Sequence, residues 1–169
     1  MPTNIEIKAR ARDFGGIKSR AERLSQTPVE VIRQEDTFFN ASHGRLKLRV
    51  LAPDHAQMVW YIRPDQEGPK RSDYEIFETD SPEKLKSVLA KAYGVRGMVK
   101  KTRYLYLVGQ TRVHLDDVQG LGHFMELEVV MREGQSDQEG RAIAEDLMQK
   151  LGVLESDLLE GAYMDMLEK

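Results

Sequence analysis

Asn4-Ile5-Glu6-Ile7-Lys8, near the start of the chain, alternates polar with apolar residues, and two remote stretches do the same: Arg45-Leu46-Lys47-Leu48-Arg49 and Met125-Glu126-Leu127-Glu128-Val129. A strand sends successive side chains to opposite faces, so Glu6 points with Lys8, Lys47 with Arg49 and Glu126 with Glu128. On an open, half-buried sheet such faces meet water. In a barrel the same parity lines a lumen with cationic and acidic groups together, which suits a polyanion carried with its metal.

The rest of the sequence supplies the strands such a barrel needs. Alternation covers Asn4 to Arg10, Val31 to Phe39, Arg45 to Leu51, Gln57 to Arg63, Asp73 to Glu78, Val99 to Val108, Thr111 to Val118 and Phe124 to Met131. Turn formers separate these runs, and Gly109-Gln110 is short enough to join its neighbours as a hairpin. Three helices interrupt them. Asp13 to Leu24 carries Phe14, Ile17, Ala21 and Leu24 on one stripe, with Asp13 as N-cap. Ser81 and Pro82 open a second, which groups Leu85, Val88, Leu89 and Ala92 and stops at Gly94. Ser136 and Glu139 stand at capping-box spacing before a third, which directs Ile143, Leu147 and Leu151 inward and ends at Gly152. A short fourth helix is expected near Ala162 to Leu167. The expected class is α+β: an eight-stranded antiparallel β-barrel, open as a tunnel, with helices packed outside.

Composition narrows the function classes. At 169 residues the chain fits one domain, residues 1–169, with a real core. Lys plus Arg number 25 against 28 for Asp plus Glu, a net charge of -3, so no basic surface of the nucleic-acid-binding kind is expected and any cationic site must be local. There is no cysteine, which removes disulfides, thiolate metal sites and cysteine nucleophiles and is compatible with a reducing cytoplasm. No signal-like segment or apolar run of membrane-spanning length is present, so the expected location is cytoplasmic. Nothing in the chain decides whether it pairs as a homodimer.

On strand positions the cations are Lys8, Lys47, Arg49, Arg63, Lys101, Arg103 and Arg112, and the carboxylates are Glu6, Asp116, Glu126 and Glu128. Arginine forks and lysine ammonium groups converging from several strands would neutralise a triphosphate. The carboxylates are hard oxygen ligands suited to Mg²⁺ or Mn²⁺. Any one Glu-x-Glu or Lys-x-Arg pair is ordinarily a solvated strand face; recurrence on most strands favours the lumen. His114, a lone histidine without a second at metal spacing, is read as a neighbour that tunes the site rather than a ligand. Trp60 is read as core rather than a stacking platform. The polar stretch from Arg63 to Tyr74 is either a plain surface connection or a lid acting through Lys70 or Arg71.

Taken in order, Asn4 to Lys8, Leu46 to Arg49, Lys101-Thr102-Arg103 before Tyr104 to Gly109, His114-Leu115-Asp116, Gly120 to Glu128, and Ala162-Tyr163 with Leu167 resemble the CYTH domain, the family of triphosphate tunnel metalloenzymes. That resemblance implies a solvent-open tunnel in which the seven cations hold a triphosphate, Glu6, Asp116, Glu126 and Glu128 hold divalent metal, and Glu6, Lys8 and Glu128 serve catalysis. It implies a small-molecule triphosphate as partner and either hydrolysis or, as in class IV adenylyl cyclases, conversion of ATP to cyclic AMP and pyrophosphate; a non-catalytic polyphosphate-binding module is a third outcome. The segment from Tyr106 to Gln110 and on to Phe124 is especially similar to the cyclase branch. The family's Glu-x-Glu-x-Lys signature is broken at Asn4, an amide that supplies no charge and no base. Arg63 stands where lysine is common, which keeps the charge and changes the donor geometry.

Overall fold

The computed structural model describes residues 2–168. Eight strands form an antiparallel barrel: β1 (Thr3–Arg10), β2 (Glu30–Phe39), β3 (Arg45–Ala52), β4 (His55–Ile62), β5 (Lys70–Thr79), β6 (Val95–Val108), β7 (Thr111–Val118) and β8 (Gly122–Val130). Around the wall they run β5-β4-β3-β2-β6-β7-β8-β1, and β1 closes on β5 from Thr3↔Asp73 to Glu6↔Lys70. That closure uses only the first half of β1. Beside its second half, β9 (Leu158–Leu159) pairs with Lys8 and Ala9.

All eight barrel strands match the alternating runs. Two begin three or more residues earlier than alternation alone predicts, each for a local reason. Lys70 to Ser72 join β5 because they close on β1, and Val95 to Met98 extend β6 along β2 across a bulge at Phe38 and Phe39. β9 is too short to carry a period.

Four helices lie outside the barrel: α1 (Phe14–Leu24), α2 (Pro82–Tyr93), α3 (Asp137–Leu151) and α4 (Tyr163–Leu167). Asp13 caps α1 by accepting from the Gly16 N–H, and Ser136 and Glu139 close the expected capping box on α3. α3 ends at Gly152, whose φ of 75° favours glycine. In α2, Leu85, Leu89 and Ala90 face the sheet, but Val88 and Ala92 are exposed, so its apolar stripe is narrower than expected. Among the described residues no helix is long and apolar enough to cross a membrane.

The main hydrophobic core sits between the barrel and its helices. Ile5, Ile7 and Ala9 of β1 point outward with Val113, Leu115, Leu127 and Val129, and pack under Ile17 and Ala21 of α1 and Ala144, Leu147 and Leu151 of α3. Each fully buried aliphatic side chain here contributes about 1.5–3 kcal/mol. The opposite parity on the same strands is therefore free to be polar. Gly140 lets α3 approach closely, since a Cβ there would stand 2.6 Å from both Ile5 Cγ1 and Met131 Sδ.

α4 lies across one end of the barrel, held from several strands. Arg45 of β3 donates both Nη atoms to Asp165 at 3.2 and 2.8 Å, and Arg96 of β6 donates to Asp165 and Glu168. Tyr163 and Met164 pack there against Phe38, Val99, Val118 and Phe124.

Candidate functional site: a charged lumen

Inward parity on the eight strands produces a cavity of about 160 Å³ inside the barrel. All seven predicted cations line it: Lys8, Lys47, Arg49, Arg63, Lys101, Arg103 and Arg112. Of the predicted carboxylates, Glu6, Glu126 and Glu128 line it too, while Asp116 lies fully buried behind Arg103. The lumen also holds an acid that the sequence inventory omitted, Asp36.

Two arginines are fixed side-on by aspartates. Arg103 donates Nε and Nη2 to Asp116 at 2.8 and 2.9 Å, and Arg49 makes the same fork to Asp36 at 2.9 and 2.8 Å. Asp116 also accepts the Tyr163 hydroxyl at 2.9 Å. Burial alone would raise both aspartates, but their guanidinium partners hold them well below the usual carboxylate range. Asp116 is thus committed to Arg103 and stands outside the carboxylate group described below.

Asp36 is shared three ways, since Lys47 and Lys101 approach its Oδ2 at 3.9 and 3.6 Å. A single carboxylate cannot neutralise two lysines and an arginine. Burial, opposed only in part by Asp36, pulls Lys101 down to about 8 and Lys47 well below its ordinary value. Lys8 is likewise drawn down to about 7, chiefly by burial, although Glu126 stands 3.8 Å away. Its Nζ donates to the Gly161 carbonyl at 3.2 Å and lies 4.1 Å above the Tyr163 ring. Arg63 binds Glu6 at 3.0 Å and the same carbonyl at 3.3 Å. Arg112, with its side chain about half exposed, stands at the rim, 3.9 Å from Glu128.

On the neighbouring wall, Glu126, Glu128 and His114 place ligand atoms within 4.8 Å of one another. Burial raises the Glu128 carboxyl to about 7, and the like charges of Glu6 and Glu126 add to it. Glu126 is drawn well below the usual range by Lys8 and Arg103 in spite of its burial. His114 is fully buried with neither ring nitrogen hydrogen-bonded, and burial followed by Arg103 keeps it neutral. A neutral imidazole whose acceptor nitrogen is unengaged, beside two carboxylates, fits a divalent cation. His114 therefore belongs with the acids, closer to the site chemistry than a lone histidine suggested.

Other residues escaped the sequence inventory. Tyr61, at 5.1 Å from Lys47 Nζ, is the aromatic that β4 turns into the lumen; its parity with Arg63 was the available signal. Trp60 instead sits half-buried on the outer face, its Nε1 donating to the His43 carbonyl at 2.9 Å. Tyr163 had no periodic signal, because α4 is a single short helix. Lys70 is fully buried and donates to the Gln66 carbonyl at 2.9 Å, whereas Arg71 lies on the other face with Asp73.

Comparison with known proteins is consistent with this layout. The model of the CYTH domain matches residues 2–163. The adenylate cyclase CyaB of Aeromonas hydrophila is 25% identical over 175 residues, covering 98% of this chain and 88% of its own. The PH1012 protein of Pyrococcus horikoshii OT3 superposes with a TM-score of 0.84 at 26% identity, over 96% of this chain and 98% of that one. HpAC1 of Hippeastrum, for which a dominant triphosphatase activity is described, shares the fold with a TM-score of 0.67 at 14% identity, over 99% and 94%.

Proposed function

The chain belongs to the CYTH domain family, and from that membership and the charge of its lumen we propose that it is a divalent-metal-dependent enzyme that binds a small-molecule triphosphate and hydrolyses it. One observation carries the reading: seven cationic side chains line the cavity against four carboxylates, so the protein leaves its own lumen short of negative charge. A triphosphate supplies that charge. We place the enzyme in the cytoplasm.

In this reading Arg49 and Arg103, each anchored through Nε and Nη2, offer Nη1 to phosphate oxygens, while Lys8, Lys47 and Lys101 approach as compact charges and Arg63 and Arg112 extend the set. Glu126, Glu128 and His114 hold Mg²⁺ or Mn²⁺, which when bound supplies further positive charge against the phosphate oxygens. Glu6 or Glu128 orients the attacking water, and Lys8 stabilises charge on the transferred group. Asp116 acts by fixing Arg103. Because these donors are held before the substrate arrives, they stabilise developing charge without reorganising.

The resemblance to an adenylate cyclase of Aeromonas favours a second reading on the same residues, attack on the α-phosphorus by the ribose 3′-hydroxyl. Incubation with ATP and Mg²⁺ or Mn²⁺, followed by product separation, decides between them. Orthophosphate is expected; cyclic AMP with pyrophosphate would replace hydrolysis by cyclisation, and unchanged ATP and tripolyphosphate under both metals would remove the enzymatic reading.

The metal assignment carries its own pH signature. Glu128 is protonated below about 7, so a cation must displace that proton. Calorimetric Mn²⁺ affinity is expected to fall by up to about tenfold per pH unit below that point, and Glu128→Gln to lose both the affinity and the slope. A flat profile in the wild type would move the metal elsewhere.

A further inference from the structure

One short turn of chain reaches four of the seven cations in the lumen. Ala162 and Tyr163, where α4 begins, enter the lining from outside the barrel wall. Just before them, the Gly161 carbonyl accepts from both Lys8 and Arg63. The Tyr163 ring faces Lys8 Nζ and stands 5.0 Å from Lys101 Nζ. Its hydroxyl donates at 2.9 Å to Asp116 Oδ2, the same oxygen that accepts from Arg103 Nη2 at 2.9 Å.

The two anchored arginines differ in what steadies their aspartates. Asp36, the partner of Arg49, also has the ammonium groups of Lys47 and Lys101 at 3.9 and 3.6 Å. Among the described residues no lysine comes so near Asp116, and the Tyr163 hydroxyl takes that place. A carboxylate held by one fork alone can rock about it, and a second, charge-assisted bond from another direction removes that freedom. Burial first, and then the charge of Asp116, pushes the Tyr163 hydroxyl well above its ordinary value, so it stays a donor. The phenol is itself fixed from outside the lumen: Asp165, forked by Arg45, accepts the Ala162 N–H at 2.8 Å, and the ring packs 5.1 Å from that of Phe124. Arg103 is therefore steadied from α4, and Arg49 from within the barrel wall.

Resting on the proposed triphosphate chemistry, we infer that Tyr163 is a positioning residue for phosphate binding: its hydroxyl, acting through Asp116, aims the Arg103 guanidinium at the phosphate oxygens. It works through these two side chains and not on the reacting atoms. A hydroxyl lost from α4 is then felt in the lumen as a misdirected arginine, and small misplacements of such donors are costly.

Calorimetric titration of the metal-free protein with tripolyphosphate, in two backgrounds, tests this without turnover. Tyr163→Phe keeps the ring beside the lysines and removes the hydroxyl. In the otherwise native chain it is expected to weaken tripolyphosphate about tenfold, the scale of one charge-assisted hydrogen bond. In the Arg103→Leu, Asp116→Asn background no fork remains to be held, and the same change is expected to cost less than about twofold. Arg103→Lys, which keeps a charge without the fork, serves as the second background if the double variant does not fold. A hydroxyl that served only the packing of α4 would cost equally in both backgrounds. That result, or unchanged affinity of Tyr163→Phe in the otherwise native chain, would overturn the positioning role and leave the triphosphate reading standing. Failure of the wild type to bind either tripolyphosphate or ATP would overturn that reading, and this one with it.

Discussion

Arg103→Ala is expected to lower triphosphate turnover at least ~100-fold, the cost of removing one preorganised donor from a transition state, and to destabilise the fold by ~3–5 kcal/mol. The second effect comes from the partner left behind. Asp116 is fully buried and receives both bonds of the guanidinium fork, so without Arg103 a carboxylate is stranded with the Tyr163 hydroxyl and only the more weakly acting Lys101 as countercharge. Arg103→Lys keeps a charge but lacks the fork, and is expected to recover part of the stability and little of the turnover. Combining Arg103→Leu with Asp116→Asn separates the two roles: urea unfolding should return towards wild type while orthophosphate release stays low. Undiminished turnover in Arg103→Ala would remove Arg103 from the site.

The other large effect is a response to pH. Lys8 is drawn to about 7, Lys101 to about 8 and Lys47 well below its ordinary 10.5, each first by burial. Their folded values lie below their unfolded ones. Between about pH 7 and 10 the unfolded chain therefore binds more protons, and the ligand-free protein gains stability as pH rises through that window. Glu128, raised to about 7, completes its ionisation at the lower edge of that window, where it opposes the trend, and Tyr61, raised to about 12, stays protonated through it.

Ligand binding runs the opposite way, because a polyanion wants these lysines charged. ATP, its phosphates ionised throughout the window, should bind with proton uptake, and its affinity should fall up to about tenfold per pH unit for each lysine that must regain a proton. Calorimetry in buffers of different ionisation enthalpy, with thermal unfolding of the free protein beside it, reads both trends. Flat stability and flat affinity from pH 7 to 10 would mean that the lysines are already charged in the empty lumen.

How far the sequence disclosed this arrangement depended on period two. Each barrel strand carries its own alternation, so Glu6 with Lys8 or Lys47 with Arg49 could be put on one face without knowing any partner. Pairings across the barrel were beyond that reach. Asp36 sits in Arg33-Gln34-Glu35-Asp36, where polar residues occupy both parities, and only registration against Arg49 and Lys101 gives it a role. His114 looked solitary because its companions, Glu126 and Glu128, arrive from the neighbouring strand. β9 and the turn before α4, which bring the Gly161 carbonyl to Lys8 and Arg63, are too short for any periodic signal.

The placement of the greasy core outside the barrel has a practical consequence for redesign. Side chains that decide chemistry and side chains that hold the molecule together alternate along the same strands yet occupy separate compartments. A library that randomises lumen-lining positions such as Ser72, Tyr74 and Ile76 would leave the jacket of Ile7, Leu115, Leu127 and Leu151 untouched, so new linings could be screened without first rescuing the scaffold.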